Sequence, residues 1–152
     1  MKLSDVLRYV AMFRALHTNV RHEHNRSPHK FILLYSMCVL YDKGSLKTAR
    51  IALDDGLLNA WRAEFWENWA RWVQNEHHQC KFATPFYHMR SEPFWHVKLR
   101  EETGGEFGTS LRRIRENVEY VEIDDALAVL LRQPETNRLL RDVLLGQLFE
   151  IL

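Results

Sequence analysis

The sequence predicts an α+β fold: a mainly helical single domain over residues 1–152 with a small antiparallel β-sheet. Three observations carry this reading. Apolar residues recur at spacings of three and four through most of the chain, which is the period of an amphipathic helix. Two short stretches, Phe94 to Arg100 and Val118 to Ile123, instead alternate with a period of two, as half-buried strands do. The length of 152 residues, with 46% apolar and 27% charged residues, is enough for one globular core built without disulfides or metals.

The first helix is expected to begin at a Ser4 cap and to carry Val6, Leu7, Val10, Phe13, Ala15 and Leu16 on its apolar side. Residues 18–26 break that pattern with a polar, histidine-rich loop. Ser27-Pro28 then places a capping residue before a proline in the first turn, so a second helix starts close to His29. From Phe31 to Tyr41 nearly every residue is apolar; this helix is buried almost all round and ends at Lys43-Gly44.

Ile51-Ala52-Leu53 reads as a short strand or an extended lead-in. Asp54 or Asp55 caps the next helix, which holds Trp61, Trp66, Trp69 and Trp72. Four tryptophans spread over more than one face read as core packing, with a base-stacking platform as the alternative. Asn75 to Cys80 is a polar loop, and Phe82 to Ser91 is too punctuated by proline for a long helix. The two alternating stretches pair as antiparallel strands, with Thr103-Gly104-Gly105 as a turn and Arg112-Arg113-Ile114-Arg115 on the connection. Asp124 or Asp125 caps Ala126 to Leu131. Pro134 opens a last helix with Leu139, Leu140, Val143, Leu144, Leu148 and Ile151 on its apolar side.

A formal net charge of +1 conceals an asymmetry. Arg8, Arg14, Arg21, Arg26 and Lys30, with four histidines, face only Glu23 across residues 8–30, whereas Glu116 to Asp125 is acidic. Such polarity permits a nucleic-acid face without a basic protein overall. Two dissimilar cysteines, Cys38 in an apolar run and Cys80, form no disulfide framework and favour a reducing, cytoplasmic compartment. Phe31 to Leu40 is too short to span a bilayer, and the expectation is a protein without a membrane partner.

Several chemistries lack their residues. His22, His24, His77 and His78 have no CxxC or HExxH spacing around them and read as solvated loop histidines, so no metal and no other cofactor is expected. His22-Glu23-His24-Asn25 has letters in common with a histidine-asparagine-histidine nuclease, but it precedes a proline-capped helix instead of closing a metal-holding hairpin. No Gly-x-Ser-x-Gly elbow or phosphate-cradling glycine loop occurs. The chain is read as having no catalytic residues of its own.

Two segments remain, Ser27 to Tyr35 and Thr84 to Trp95, each mixing proline, aromatics, histidine and a cation. His29 and Lys30 at a helix start suit an anion. Pro28-His29-Lys30 with Ile32-Leu33-Leu34-Tyr35, then Pro85-Phe86-Tyr87-His88-Met89-Arg90, Phe94-Trp95-His96-Val97, Tyr120 to Leu127 and Asn137 to Leu145 together resemble the sulfur-binding domain of phosphorothioate-dependent (type IV) HNH restriction endonucleases. The likeness runs in the same order from about Arg21 to Phe149.

The resemblance implies binding of duplex DNA in which sulfur replaces a nonbridging phosphate oxygen. A shallow apolar surface pocket would fall on Thr84, Pro85 and His88, faced by His29 and Lys30. Sulfur is larger, more polarizable and less strongly hydrated than oxygen, so carbon-rich side chains gain contact with it. Thr84 stands where the family often has an aromatic residue, His88 where it often has a small one, and Phe31 where it commonly has a proline. Arg21 or Arg26, and Arg112 or Arg113, are candidates for base or backbone contacts, with Arg90, Ser91 and Lys98 assigned to phosphate or to the surface. An HNH nuclease domain would belong to a longer parent protein. The alternatives are a general sequence-reading DNA module and a protein-interaction domain using exposed tryptophans.

Overall fold

The computed structural model describes residues 2–17, 27–74, 79–100 and 107–152. The expectations for Arg21, Arg26, His22, His24, His77, His78 and the turn at Thr103 to Gly105 lie outside the described residues. The fold is mainly helical α+β. Its elements run α1 (Leu3–Arg14), α2 (His29–Asp42), β1 (Arg50–Ala52), α3 (Asp55–Trp72), α4 (Ala83–His88), a 3₁₀ turn (Met89–Ser91), β2 (Trp95–Leu99), α5 (Leu111–Asn117), β3 (Val118–Ile123), α6 (Asp125–Arg132) and α7 (Pro134–Ile151). Among the described residues no helix is long and apolar enough to cross a membrane.

Helix α2 is the centre of the molecule. Every residue from Lys30 to Cys38 is buried, because α3, α4, α6 and α7 pack around it and leave no polar face. Its one small polar side chain, Ser36, donates to the Ile32 carbonyl and so needs no partner from outside the helix. Gly44, at φ 79°, takes the left-handed conformation that ends the helix, and the Ser45 and Leu46 amides return to the Leu40 carbonyl.

The sheet has the order β1-β3-β2, antiparallel throughout. The expected pair of strands is present, and β1 adds a third on the other side of β3. Ile51 and Val97 both register on Val121, putting a β-branched row on the core side of the sheet.

Several local expectations change. Helix α1 starts at Leu3 with Lys2 as its cap and no capping side chain, so Ser4 lies inside the helix. Its buried stripe is Val6, Tyr9 and Phe13, continued by Leu16 beyond the helix end; Leu7 faces outward with Leu3 because α6 and α7 cover only one side. Leu139 of α7 is exposed for the same reason. Arg112 to Arg115 lie on the connection between β2 and β3, as expected, and there form the body of α5, capped by the Ser110 hydroxyl, which accepts from the Arg113 amide at 3.1 Å. Asp54 caps α3, accepting from the Leu57 amide at 2.8 Å. Asp124 stands at the cap position of α6 but its carboxylate makes no capping bond. It accepts from the Tyr9 hydroxyl at 2.8 Å and pairs with His96 at 2.9 Å, tying α1 and β2 to the end of β3.

Candidate functional site

The two segments singled out in the sequence meet. The start of α2 packs against α4 and the 3₁₀ turn, and Lys30 Nζ donates to Ser91 Oγ at 3.1 Å. Helix α4 owes its orientation to a stripe of Phe82, Pro85, Phe86 and Met89, spaced three and four residues apart and all buried. The opposite face carries Lys81, Thr84 and His88, again at helical spacing.

This geometry revises the expected pocket. Pro85 lies on the core-facing stripe and is buried, so the outward surface at this point belongs to Thr84, half-buried, and His88, exposed. Lys30 is not an open cation either. Its ammonium sits 2.8 Å from Glu92 Oε2, and the two side chains are 8% and 2% exposed. A charge so enclosed requires a partner, and the carboxylate supplies it. His29 is held on both ring nitrogens, by the Ser27 hydroxyl at 2.6 Å and the Gln79 carbonyl at 2.6 Å, with its ring 4.6 Å from that of Trp69. His29 and Lys30 therefore brace the site from beneath.

The groups that reach the surface are His88, Arg90 and Ser91. The Arg90 guanidinium lies 3.9 Å over the Tyr87 ring, which also packs edge-on against His88 and Phe107. That stacking fixes a long cationic side chain beside the imidazole. Burial lowers the His88 pKa from its ordinary value, and the positive charges of Lys30 and Arg90 lower it further. The charged form of His88 is thus disfavoured in the free protein. On α5, Arg112 is exposed and pairs with Glu116 at 3.0 Å, while the exposed Arg113 folds back over Gly108, whose added Cβ would meet Arg113 Cδ at 3.1 Å.

The surface carries two clefts, one of which adjoins these elements. One, of about 220 Å³, is lined by Arg62, Lys81, Phe82, Ala83, Thr84, Thr109 and Leu111, and shares Thr84 with the outward face of α4. Sequence reasoning missed Arg62, Lys81 and Thr109. The signal for Arg62 was available: no acid stands three or four residues away on α3, unlike Arg71, which pairs with Glu67.

The other cleft, of about 470 Å³, is lined by Arg8, Tyr9, His96, Glu122, Asp124 and Asp125 among others. Tyr9 is fully buried and its pKa is raised to about 12, first by burial and then by Asp124, so it stays a neutral donor. Three carboxylates line this cleft beside Arg8 and His96. No group of three or more histidine, cysteine, aspartate or glutamate residues that could hold a metal occurs among the described residues. Burial pushes the Cys38 thiol up to about 12, which removes it as a nucleophile at neutral pH.

Fold and site together define a helical α+β domain with His88 and Arg90 packed on Tyr87 at one face and an acidic cleft elsewhere. No protein-family model matches this chain, and no curated protein matches it.

Proposed function

We propose that this chain binds phosphorothioate-modified duplex DNA, as the targeting module of a modification-dependent restriction system in the cytoplasm. The modified phosphate lies against the outward face of α4 at Thr84 and His88. The observation that most supports the reading is the contact of two segments 61 residues apart, with Lys30 bonded to Ser91 at 3.1 Å. These are two of the stretches on which the likeness to the sulfur-binding domains rests.

In this mechanism Arg90 contributes salt-sensitive attraction for the backbone. Discrimination comes from the Thr84 methyl group and the carbon atoms of the His88 ring, which offer a large, weakly hydrated sulfur more dispersion contact than they offer an oxygen. Arg112 and Arg113 of α5 are positioned for further backbone or base contacts, and cleavage is the task of an HNH endonuclease domain in a longer protein. The test is a titration of matched duplexes, with and without one phosphorothioate, at two salt concentrations. Affinity is expected to fall with salt for both, the modified duplex binding at least about tenfold tighter, a difference of about 1.4 kcal/mol. Equal affinities would leave a general DNA-binding module. No salt-dependent binding at all would favour a protein-interaction domain, a reading for which the 64% exposure of Trp66 is the specific observation.

A pH dependence follows from His88. In the free protein its lowered pKa means that protonation below its ordinary pKa works against the fold, so this contribution is present at neutral pH and lost in acid. A bound phosphate replaces the repulsion from Lys30 and Arg90 with attraction, so the complex takes up a proton. Affinity is expected to rise about three- to tenfold between about pH 8 and pH 6, and His88→Gln is expected to flatten the profile. An unchanged slope in that variant would remove His88 from the phosphate site.

A further inference from the structure

We propose that the cleft between Arg62 and Lys81 is a second anion subsite, which holds a backbone phosphate next to the one at His88; this rests on the DNA-binding reading above. Neither Arg62 nor Lys81 forms an ion pair or side-chain hydrogen bond among the described residues, and both are exposed. Two unpaired cations on separate elements, one on α3 and one just before α4, therefore converge on the same space. Thr84 and Thr109 line it as well, and each carries a hydroxyl able to donate to a phosphate oxygen.

The floor is rigid. Phe82 is 8% exposed and is packed against Trp61 at 5.6 Å, Phe65 at 5.7 Å and Phe86 at 5.7 Å between ring centroids. Ala83 and Leu111 add apolar surface, so the ligand class is an anion that also presents carbon, as a phosphodiester with its sugar does. Lys81, Thr84 and His88 follow one another along one face of the chain, with Thr84 and His88 four residues and about 6 Å apart along the helix axis. The cleft and the His88 surface thus form one track, while the acidic cleft at Asp124 and Asp125 has the wrong charge for the same ligand.

The experiment uses Arg62→Gln, Lys81→Gln and the double variant, all at exposed positions that the core does not need. Binding of the modified and unmodified duplexes is measured across a series of salt concentrations. The double variant is expected to bind both about tenfold more weakly, to keep the wild-type preference for sulfur, and to reduce the slope of log affinity against log salt by about 1. A slope equal to that of wild type overturns the inference. A second arm titrates inorganic phosphate and follows the Thr84 and Thr109 amide resonances, which are expected to shift in wild type and not in the double variant. If wild type binds neither duplex, this arm decides: shifts lost in the double variant keep the subsite while the DNA reading falls, and their absence in wild type overturns the subsite too.

Discussion

Glu92→Ala is expected to destabilise the fold by about 3–5 kcal/mol, the cost of leaving a buried ammonium without its counter-charge. Lys30 is 6% exposed, lies at the start of the central helix and donates at 2.8 Å to Glu92, itself 3% exposed. Glu92 Oε2 also accepts from the His17 amide at 3.1 Å, so its removal frees the chain after α1 as well. Lys30→Met is expected to cost nearly as much, because the carboxylate then keeps only weaker partners. Lys30→Met combined with Glu92→Leu is expected to lie closer to wild type than either single variant, since the desolvation penalty disappears with both charges. Urea unfolding of the three variants checks this. A cost below about 1 kcal/mol for Glu92→Ala would sink the idea that this pair braces the two segments.

Trp61→Ala is expected to cost about 3–5 kcal/mol, the range for deleting a buried aromatic and leaving a cavity. The Trp61 ring has no exposed surface and packs against Phe82, Phe86 and Trp95, while its indole N–H donates to the Leu33 carbonyl at 3.2 Å. It joins α3 to α2 and supports the floor of the Arg62–Lys81 cleft from below. Trp61→Phe, which keeps most of the apolar volume and loses the hydrogen bond, is expected to cost about half as much. Thermal or urea unfolding separates the two. Similar losses for both variants would mean that the hydrogen bond, and not the ring's bulk, carries the contribution.

The helices and strands were largely legible in the chain because their signals are local. The nearly continuous apolar run Phe31 to Tyr41 implies a helix covered almost all round, and the residues of α2 from Lys30 to Cys38 are all buried. Alternation at Val118 to Ile123 implied a strand, and β3 is one, with the added neighbour β1 that a three-residue signal at Ile51 left ambiguous. Position before α6 offers Asp124 or Asp125 as its cap, but Asp124, at the cap position, has its carboxylate taken by Tyr9, 115 residues away in the chain. A distant hydroxyl outcompeted a nearby amide, and no local pattern encodes that.

The site was less legible for the same reason. Lys30 read as a cation at a helix start, whereas Glu92, 62 residues further on, makes it an internal brace. Pro85 read as a surface contact from its chemistry, although the spacing of Phe82, Pro85, Phe86 and Met89 already contained the stripe that turns it inward. Arg62 and Lys81 carry little signal in the chain, because isolated cations are common on surfaces. They gain meaning only when α3 and α4 set them around one cleft.

The sequence by itself determined the fold class, the central place of α2 and the identity of the two segments that meet, since each depends on the period and composition of a few adjacent residues. Only the tertiary structure decided which of those residues reach the surface, which are spent on one another, and where unpaired positive charge collects. Burial and ion pairing depend on groups brought within a few ångströms from opposite ends of the chain, and electrostatic and dispersion forces act over that distance without regard to separation in sequence.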